Sequence, residues 1–293
     1  MRTQFINELV KQAEINDKIF LLCGDLGFSV LEVFRDKFPD RFLNVGIAEQ
    51  NMAGMAAGLA KLGYKVFIYS IGNFPSLRAL EQIRYDICYH EFDVTIVSVG
   101  AGFAYGPLGC SHHATEDFAI MRALPNMVVF NPADPIEVTL SMQDIFKSKK
   151  ASYLRLGKAG EPSIHNEIQN ISNLLLVKEG VNTLILSTGS ITDEVNKLIS
   201  KNNLNHALYT IYKISDDVGP ELKKLATKFQ NIITIEENQL NGGFGSFVLE
   251  QLNNFDVSIS VKRYGIENHF AGFSGNQNFL RAEIIKKLIC ELK

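Results

Sequence analysis

Glu49 is the acidic residue whose sequence surroundings most suggest chemistry. It lies within residues 42–63, among neighbours that are almost all small or apolar. This segment is typical of a short strand, a turn at Gly46 and a helix that ends before Gly63. A glutamate in the first turn of a helix is ordinarily stabilised by the helix dipole. Because these neighbours solvate a charge poorly, the carboxyl could instead hold and share a proton in a site.

Two adjacent histidines form the second group of candidates. His112 and His113 end a glycine-rich segment, residues 100–113, whose glycines permit backbone conformations closed to other residues. Histidine exchanges protons near neutral pH and can donate a hydrogen bond to an oxyanion. Alternatively, either residue could cap the following helix or bind a buried carbonyl. Because no further ligands follow at a matching spacing, a zinc site is not indicated.

Strands and helices alternate along the chain, which predicts an α/β protein with two doubly wound domains and parallel sheets. We predict a first domain over residues 1–160, a linker over 161–180 and a smaller domain over 181–293. The predicted elements include a helix over 76–89, a strand over 94–99, a helix over 135–147 and a strand over 257–261. In parallel sheets the ligand-facing loops follow the carboxyl ends of the strands. In the first domain these loops are residues 25–29, 46–49, 70–74 and 100–113.

Composition excludes several classes of function. The 293 residues are 46% hydrophobic and carry a formal net charge of -3, so no basic surface for nucleic acid is indicated. No apolar run approaches the roughly 20 residues that span a bilayer, and no signal peptide is recognisable, so we expect a cytoplasmic protein without a membrane partner. The scattered cysteines predict neither a disulfide framework nor structural zinc. These cysteines are Cys23, Cys88, Cys110 and Cys290.

Five motifs in register resemble the transketolase family. They occupy residues 46–52, 109–113, 121–127, 131–134 and 236–246. The resemblance covers nearly the whole chain, from the family's pyrimidine-binding domain through its C-terminal domain. In that family a further domain holds the diphosphate and Mg²⁺ of the cofactor with a Gly-Asp-Gly motif, which this sequence lacks.

The resemblance implies roles for five of the candidate residues. Glu49 would be catalytic, through a hydrogen bond to the aminopyrimidine ring of thiamine diphosphate, the cofactor that carries the carbanion chemistry. Phe74 would stack against that ring, and Asp25 would lie near the cofactor at a subunit contact. His112, the second catalytic candidate, would bind the donor sugar, with His113 in place of a usual glutamine.

The remaining substrate contacts implied by the resemblance are Arg2, Ser29 and Arg155, which align with the family's sugar-phosphate ligands. Guanidinium groups bind phosphate bidentately, although surface ion pairs are the ordinary alternative for each arginine. Gly100 and Leu108 depart from the family, because they stand where related proteins have polar substrate contacts. The donor could therefore be a modified sugar.

We predict the C-terminal subunit of a split, thiamine-diphosphate-dependent transketolase-like enzyme that transfers a two-carbon ketol unit between sugars such as sugar phosphates. A separate N-terminal subunit would hold the diphosphate and Mg²⁺, so no metal ligand is assigned to this chain, and self-association would give an α₂β₂ assembly. Two alternatives share the Glu49 chemistry: the β subunit of a 2-oxoacid dehydrogenase first component, and acyl transfer like that of deoxyxylulose-phosphate synthase. A non-catalytic binding or scaffolding subunit is the alternative from another class.

Overall fold

Two β-sheets organise the chain in the computed structural model, which describes residues 1–158, 160–165 and 172–292. The strands are β1 (Ile19–Cys23), β2 (Phe42–Asn44), β3 (Lys65–Ile71), β4 (Val94–Val99), β5 (Met127–Phe130), β6 (Ala151–Leu156), β7 (Leu174–Lys178), β8 (Leu184–Ser187), β9 (Ala207–Ile211), β10 (Lys213–Ile214), β11 (Asn231–Gln239) and β12 (Ser260–Ile266). The helices are α1 (Arg2–Ile15), α2 (Glu32–Lys37), α3 (Glu49–Lys61), α4 (Leu80–Gln82), α5 (Asp117–Arg122), α6 (Pro135–Lys147), α7 (Ile191–Lys201), α8 (Gly219–Ala226), α9 (Phe244–Asn254) and α10 (Gln277–Leu292). We refer to residues 1–158 as the first unit and to residues 172–292 as the second unit.

The first sheet positions the candidate site. In the described part of the chain its strand order is β10-β5-β6-β4-β3-β1-β2, and every pairing is parallel except that of β10 with β5. Successive residues of β3 alternate between two cores: Val66 and Ile68 face one, whereas Phe67 and Tyr69 face the other. All six residues of β4 are buried, as expected for a central strand covered on both faces.

The second sheet has the strand order β12-β11-β8-β9-β7 in the described residues, and only the pairing of β7 with β9 is antiparallel. Strand β7 lies inside the range predicted as a linker, 161–180, of which residues 166–171 lie outside the described residues. Strand β10 joins the edge of the first sheet, although it belongs to the second half of the chain. The two units are therefore connected through a shared sheet edge as well as through the chain.

The predicted α/β fold with parallel sheets is confirmed, and several elements have the predicted bounds. Helix α6 begins at Pro135, where a missing N–H costs nothing, and the Asp134 carboxylate accepts a hydrogen bond from Glu137 N at 2.8 Å. The predicted strand over 257–261 is instead β12, which starts at Ser260. None of the described helices is both long and apolar enough to cross a bilayer.

The predicted helix over 76–89 is not a regular α-helix. Wide π-type turns form Phe74–Arg78 and Ile83–Cys88, with α4 between them. Pro75 has no N–H to donate, and Ser76 Oγ donates to the carbonyl of Gly72 at 3.1 Å, so the first turn departs from α geometry. Phe74 is the first residue of this irregular segment.

Candidate active site at the carboxyl edge of the first sheet

Asn44, the last residue of β2, ties the first two loops of this edge together. Its Oδ1 accepts hydrogen bonds from the backbone N–H groups of Asp25 and Gly46, both at 3.0 Å, and its Nδ2 donates to Asp25 Oδ1 at 3.0 Å. Asp25 and Gly46 have positive φ angles of 55° and 73°, which the sharp turns require. The turn at Gly46 is followed by α3, whose first residue is Glu49.

The carboxylate of Glu49 is buried and paired with a cation. Only 2% of the residue is exposed, and Oε2 accepts a hydrogen bond from Arg78 Nη1 at 2.9 Å. The Arg78 side chain is itself 49% exposed, so the pair bridges the interior and the solvent. Position at the start of α3 adds the favourable field of the helix dipole.

Phe74 and His112 continue this arrangement. The Arg78 guanidinium carbon lies 4.8 Å from the centroid of the Phe74 ring, and that ring meets the His112 imidazole edge-on with centroids 5.3 Å apart. Both contacts have geometries in which a cation or a ring edge is attracted to an aromatic face. Glu49, Arg78, Phe74 and His112 thus form one contiguous group, which we call the edge group.

Arg78 was not predicted from the sequence. Its signal was its separation of four residues from Phe74, which places two side chains on one side of a helical turn. A helix predicted to start at residue 76 excluded Phe74 and so separated the pair. Asn73 is a second member of this neighbourhood that was missed, because its Nδ2 donates to the carbonyl of His113 at 2.6 Å and joins the loops after β3 and β4.

His113 is turned into the protein, and its predicted sugar contact stays a prediction that these contacts do not favour. Only 4% of it is exposed, its Nε2 donates to the carbonyl of Gly106 at 3.1 Å, and its ring meets Phe103 edge-on at 5.1 Å. Of the two histidines, His112 is the half-buried one, and its Nδ1 lies 3.0 Å from Ser111 Oγ. The alternative considered for His113, bonding to a buried carbonyl, is what the structure shows.

Arg155 is also turned inward, and its predicted role as a phosphate ligand stays a prediction that these contacts do not favour. Its Nε donates to Asp117 Oδ2 at 2.8 Å, Nη2 to the carbonyl of Ala114 at 2.5 Å and Nη1 to Asn131 Oδ1 at 3.4 Å. Burial opposes the charge, but the Asp117 carboxylate outweighs it and raises the pKa of Arg155. The residue is 2% exposed and all three guanidinium nitrogens donate hydrogen bonds, so these contacts stabilise the fold around Asp117.

Arg2 and Ser29 are absent from the described contacts of the edge group. Arg2 is half-buried on α1. Burial of the Tyr69 hydroxyl raises the pKa of Tyr69, and the charge of Arg2 partly opposes this rise. Ser29 is exposed with a φ of 63°, and its N–H donates to Glu32 Oε1 at 2.9 Å, which lowers the pKa of Glu32. Their predicted contacts with a sugar phosphate stay predictions.

Comparison with known proteins identifies the family. Residues 1–160 match the model of the transketolase pyrimidine binding domain. The chain belongs to the transketolase family. A relative from Methanocaldococcus jannaschii, called "Putative transketolase C-terminal section", is 32% identical over 96% of this chain and 90% of its own length. An apulose-4-phosphate transketolase subunit from Actinobacillus succinogenes is 30% identical over 85% of this chain and 81% of its own length.

A solved structure and a second kind of relative complete the comparison. The structure described as "Split gene transketolase, inactive beta4 tetramer" has a TM-score of 0.86 and 31% identity, over 99% of this chain and 97% of that chain. The 1-deoxy-D-xylulose-5-phosphate synthase of Lawsonia intracellularis is 31% identical, but this chain covers only 43% of its length. The resemblance inferred from the motifs, and with it the function of a transketolase-type C-terminal subunit, is confirmed.

Proposed function

We propose that this transketolase-type subunit transfers a two-carbon ketol unit between sugars, and that it does so only in assembly with an N-terminal subunit. The observation that carries the proposal is the edge group, in which a buried carboxylate, an aromatic ring and an imidazole lie side by side at the carboxyl edge of a parallel sheet. Ligands of such sheets bind at this edge. The aromatic ring and the carboxylate suit a flat heteroaromatic ring that stacks and hydrogen-bonds at once.

Thiamine diphosphate has such a ring in its aminopyrimidine half, and it supplies an electron sink for the carbanion when it is bound. Glu49 would hold a proton at a ring nitrogen, because its buried carboxylate is poorly hydrated and favours a direct hydrogen bond. Arg78 bonds Oε2 of Glu49 and thereby fixes the direction of the carboxylate. Phe74 would provide the stacking face, and Asp25 a polar group at the rim.

His112 would bind the donor sugar. Its imidazole stands next to Phe74 and stays partly accessible, so it can donate a hydrogen bond to a sugar oxygen. The relative named for apulose-4-phosphate supports a sugar phosphate as donor or acceptor. Arg2 and Ser29 remain the proposed phosphate contacts, since Arg155 is fully engaged inside the protein.

The departures from the family support a modified sugar. A Cβ at Gly100, where φ is +97°, would lie 2.3 Å from the ring of Tyr105, so Tyr105 fills the space that a side chain at 100 would need. Leu108 is 56% exposed and adds an apolar surface to the same loop. Both features make the proposed donor pocket less polar.

Exposed apolar residues support docking of the N-terminal subunit at this edge. Large apolar side chains are exposed in three of the loops at this edge, at Phe28 (75% exposed), Ile47 (76%) and Leu108 (56%), and Leu77 (38%) is exposed in the turn that follows the loop after β3. Such a cluster around a polar site is typical of a surface that another protein covers. Among the described residues no group of three or more His, Cys, Asp or Glu is arranged to hold a metal ion. We propose that the N-terminal subunit holds the diphosphate and Mg²⁺, because this sequence lacks the Gly-Asp-Gly motif that holds them in the family.

Self-association is supported by the outer side of α3. Gly54 and Gly58 are exposed there, and a Cβ added at either would meet nothing within 4 Å. The backbone of a neighbouring helix could approach this side closely. A relative's structure is described as a beta4 tetramer, and for this chain we propose α₂β₂. A division into domains at 1–160 and 181–293 and a cytoplasmic location stay predictions.

Calorimetric titration tests the division of the site between two subunits. Thiamine diphosphate with Mg²⁺ should bind weakly or not at all to this chain alone, and should bind once a companion carrying the diphosphate motif is added. Tight binding to the chain alone would contradict the proposal. Turnover of ketose phosphates, compared with pyruvate as donor, separates ketol transfer from acyl transfer, whereas turnover of neither would favour a non-catalytic subunit.

A further inference from the structure

The loop that carries His112 is held by a carboxylate of the second unit. Glu237 lies in β11, is 4% exposed, and its Oε1 accepts a hydrogen bond from the backbone N–H of Phe103 at 2.9 Å. Phe103 belongs to the loop between β4 and α5. A buried carboxylate that accepts a backbone N–H bonds it about twice as strongly as a neutral acceptor would.

Glu237 is fixed from the opposite side by the second unit itself. Its Oε2 pairs with Arg281 of α10, and Gln277 Nε2 donates to its Oε1 at 3.2 Å. Arg281 also donates to Glu194 Oε1 at 2.7 Å and to Ser190 Oγ at 2.6 Å. A carboxylate with this many partners cannot move without breaking several bonds, so it is a rigid anchor for the loop.

The backbone of the loop lies directly on this anchor. A Cβ added to Gly102, where φ is +59°, would come within 2.4 Å of the carboxyl carbon of Glu237. A Cβ on Gly106 would come within 2.3 Å of the carbonyl oxygen of Gly275. The side chain of Phe103 packs in the core of the second unit with Leu280 of α10. Glycine at these two positions therefore permits a close approach between the units.

Contacts within the loop connect the anchored backbone at Gly102 and Phe103 to the residues that follow His112. Gly102 and Ala114 exchange two backbone hydrogen bonds of 2.9 Å, and His113 bonds the carbonyl of Gly106 while its ring touches Phe103. Gln239, two residues after Glu237, donates its N–H to the carbonyl of Thr115 at 2.9 Å. The position of His112 beside Phe74 therefore depends on contacts made by the second unit.

We propose that Glu237 is a positioning residue of the active site: through the N–H of Phe103 it sets the conformation of residues 101–114 and so the place of His112. The second unit contributes to the reaction in this way without touching substrate. The structural part of this inference stands on the contacts alone, and only its consequence for catalysis rests on the proposed function.

Hydrogen exchange on the full chain tests the structural part without a partner or a substrate. In Glu237→Ala, amide exchange of peptides covering residues 101–109 should be about 10- to 100-fold faster, the range expected when a buried donor loses its acceptor. Peptides from β8 and from α9 should exchange as in the wild type. Unchanged exchange of the loop in folded Glu237→Ala would overturn the proposal.

A milder variant and a matched control complete the experiment. Glu237→Gln keeps an oxygen acceptor for Phe103, so loop exchange should rise less than in Glu237→Ala, and it decides the matter if the alanine variant does not fold. Glu236→Gln alters the preceding residue, which is equally buried but accepts from Phe244 N and Gly245 N at the start of α9. It should leave the loop unchanged. A loop that opens as much in Glu236→Gln would show general loosening of the second unit and contradict a specific role.

Kinetics of the assembled enzyme test the consequence for catalysis. Glu237→Gln should lower kcat/KM for the sugar donor about 10-fold, the effect of a weakened hydrogen bond near 1.4 kcal/mol, while the affinity for thiamine diphosphate stays as in the wild type, because Glu49 and Phe74 are not touched. Equal loss of both would contradict positioning through His112. An inactive wild-type assembly would refute the proposed function but leave the exchange result valid.

Discussion

The carboxyl edge of the first sheet and the interior of the second unit use the same residue types in opposite ways. At the edge, the Glu49 carboxylate is paired with Arg78, a cation that remains half exposed. In the second unit, Glu237 is paired with Arg281, whose side chain is only 5% exposed, and it also binds backbone and amide donors. The first arrangement has a solvent-accessible cation, whereas the second encloses both charged groups and gives both carboxylate oxygens partners. The number and burial of partners therefore distinguish Glu49, the proposed reactive carboxylate, from Glu237, the proposed structural one.

The largest effect should follow from changing the carboxylate at the edge. Glu49→Gln should reduce ketol transfer by the assembled enzyme about 1,000-fold, within the range for loss of a group that handles a proton. The melting temperature of the chain should change little. Glu81→Gln, an exposed glutamate in α4, is the matched control and should retain normal turnover. Near-normal activity of Glu49→Gln would remove this residue from the mechanism.

Substitution of Arg155 tests whether this residue has a structural role or the predicted role of a phosphate ligand. Arg155→Met should lower the free energy of unfolding by about 3–5 kcal/mol, because it leaves the buried carboxylate of Asp117 without its cation. Denaturant unfolding measures this effect. Lys262→Met, which breaks an exposed pair with Glu291, is the control and should cost less than about 1 kcal/mol. A stable Arg155→Met protein with weakened binding of sugar phosphate would restore the phosphate-ligand role.

Glu236 predicts a pH dependence of stability that comes from the second unit. Burial raises the pKa of Glu236 to about 7 from 4.5, although the N–H groups of Gly245 and Phe244 oppose this. Between pH 4.5 and about 7 the unfolded chain releases this proton while the folded chain keeps it, so stability falls as pH rises. The loss should be about 3 kcal/mol across this window.

The measurement is a comparison of two unfolding curves. Relative to Glu236→Gln, the wild type should lose stability between pH 4.5 and about 7 and show a constant difference above that window. Parallel pH profiles of the two proteins would show that this carboxyl does not change its proton affinity on folding.

The adjacent histidines give the smallest and most local test. His112→Asn should lower kcat/KM for the donor about 10- to 100-fold with little loss of stability, because one hydrogen bond to the sugar is weakened. His113→Asn should instead destabilise the fold, since His113 is buried against Gly106 and Phe103. The reverse result would show that the two side chains exchange roles in the assembled enzyme.

Local patterns in the sequence predicted much of the fold. Val94–Val99 is rich in β-branched residues, and Pro135–Lys147 follows the capping residue Asp134, so β4 and α6 were predicted at their observed bounds. Strands β7 and β10 were missed because each is an edge strand whose antiparallel partner lies elsewhere in the chain. Edge pairing depends on tertiary contacts that periodicity does not contain.

The candidate site was predictable in residue type and loop position, but not in its pairings. Glu49, Phe74 and His112 were placed on the correct loops, since a parallel sheet gathers the loops at its carboxyl edge. Nothing local distinguishes Arg155, buried against Asp117, from an arginine that binds phosphate. Likewise, the contact of Glu237 with Phe103 joins residues 134 positions apart, and only the fold brings them together.

The most direct test of the account is a crystal structure of this chain with its N-terminal subunit, thiamine diphosphate and Mg²⁺. We expect the aminopyrimidine ring against Phe74, with a ring nitrogen within about 2.6–3.2 Å of a carboxylate oxygen of Glu49. A cofactor bound elsewhere in the assembly, with Glu49 still paired to Arg78 and no ring beside it, would show that Glu49 does not bind the cofactor.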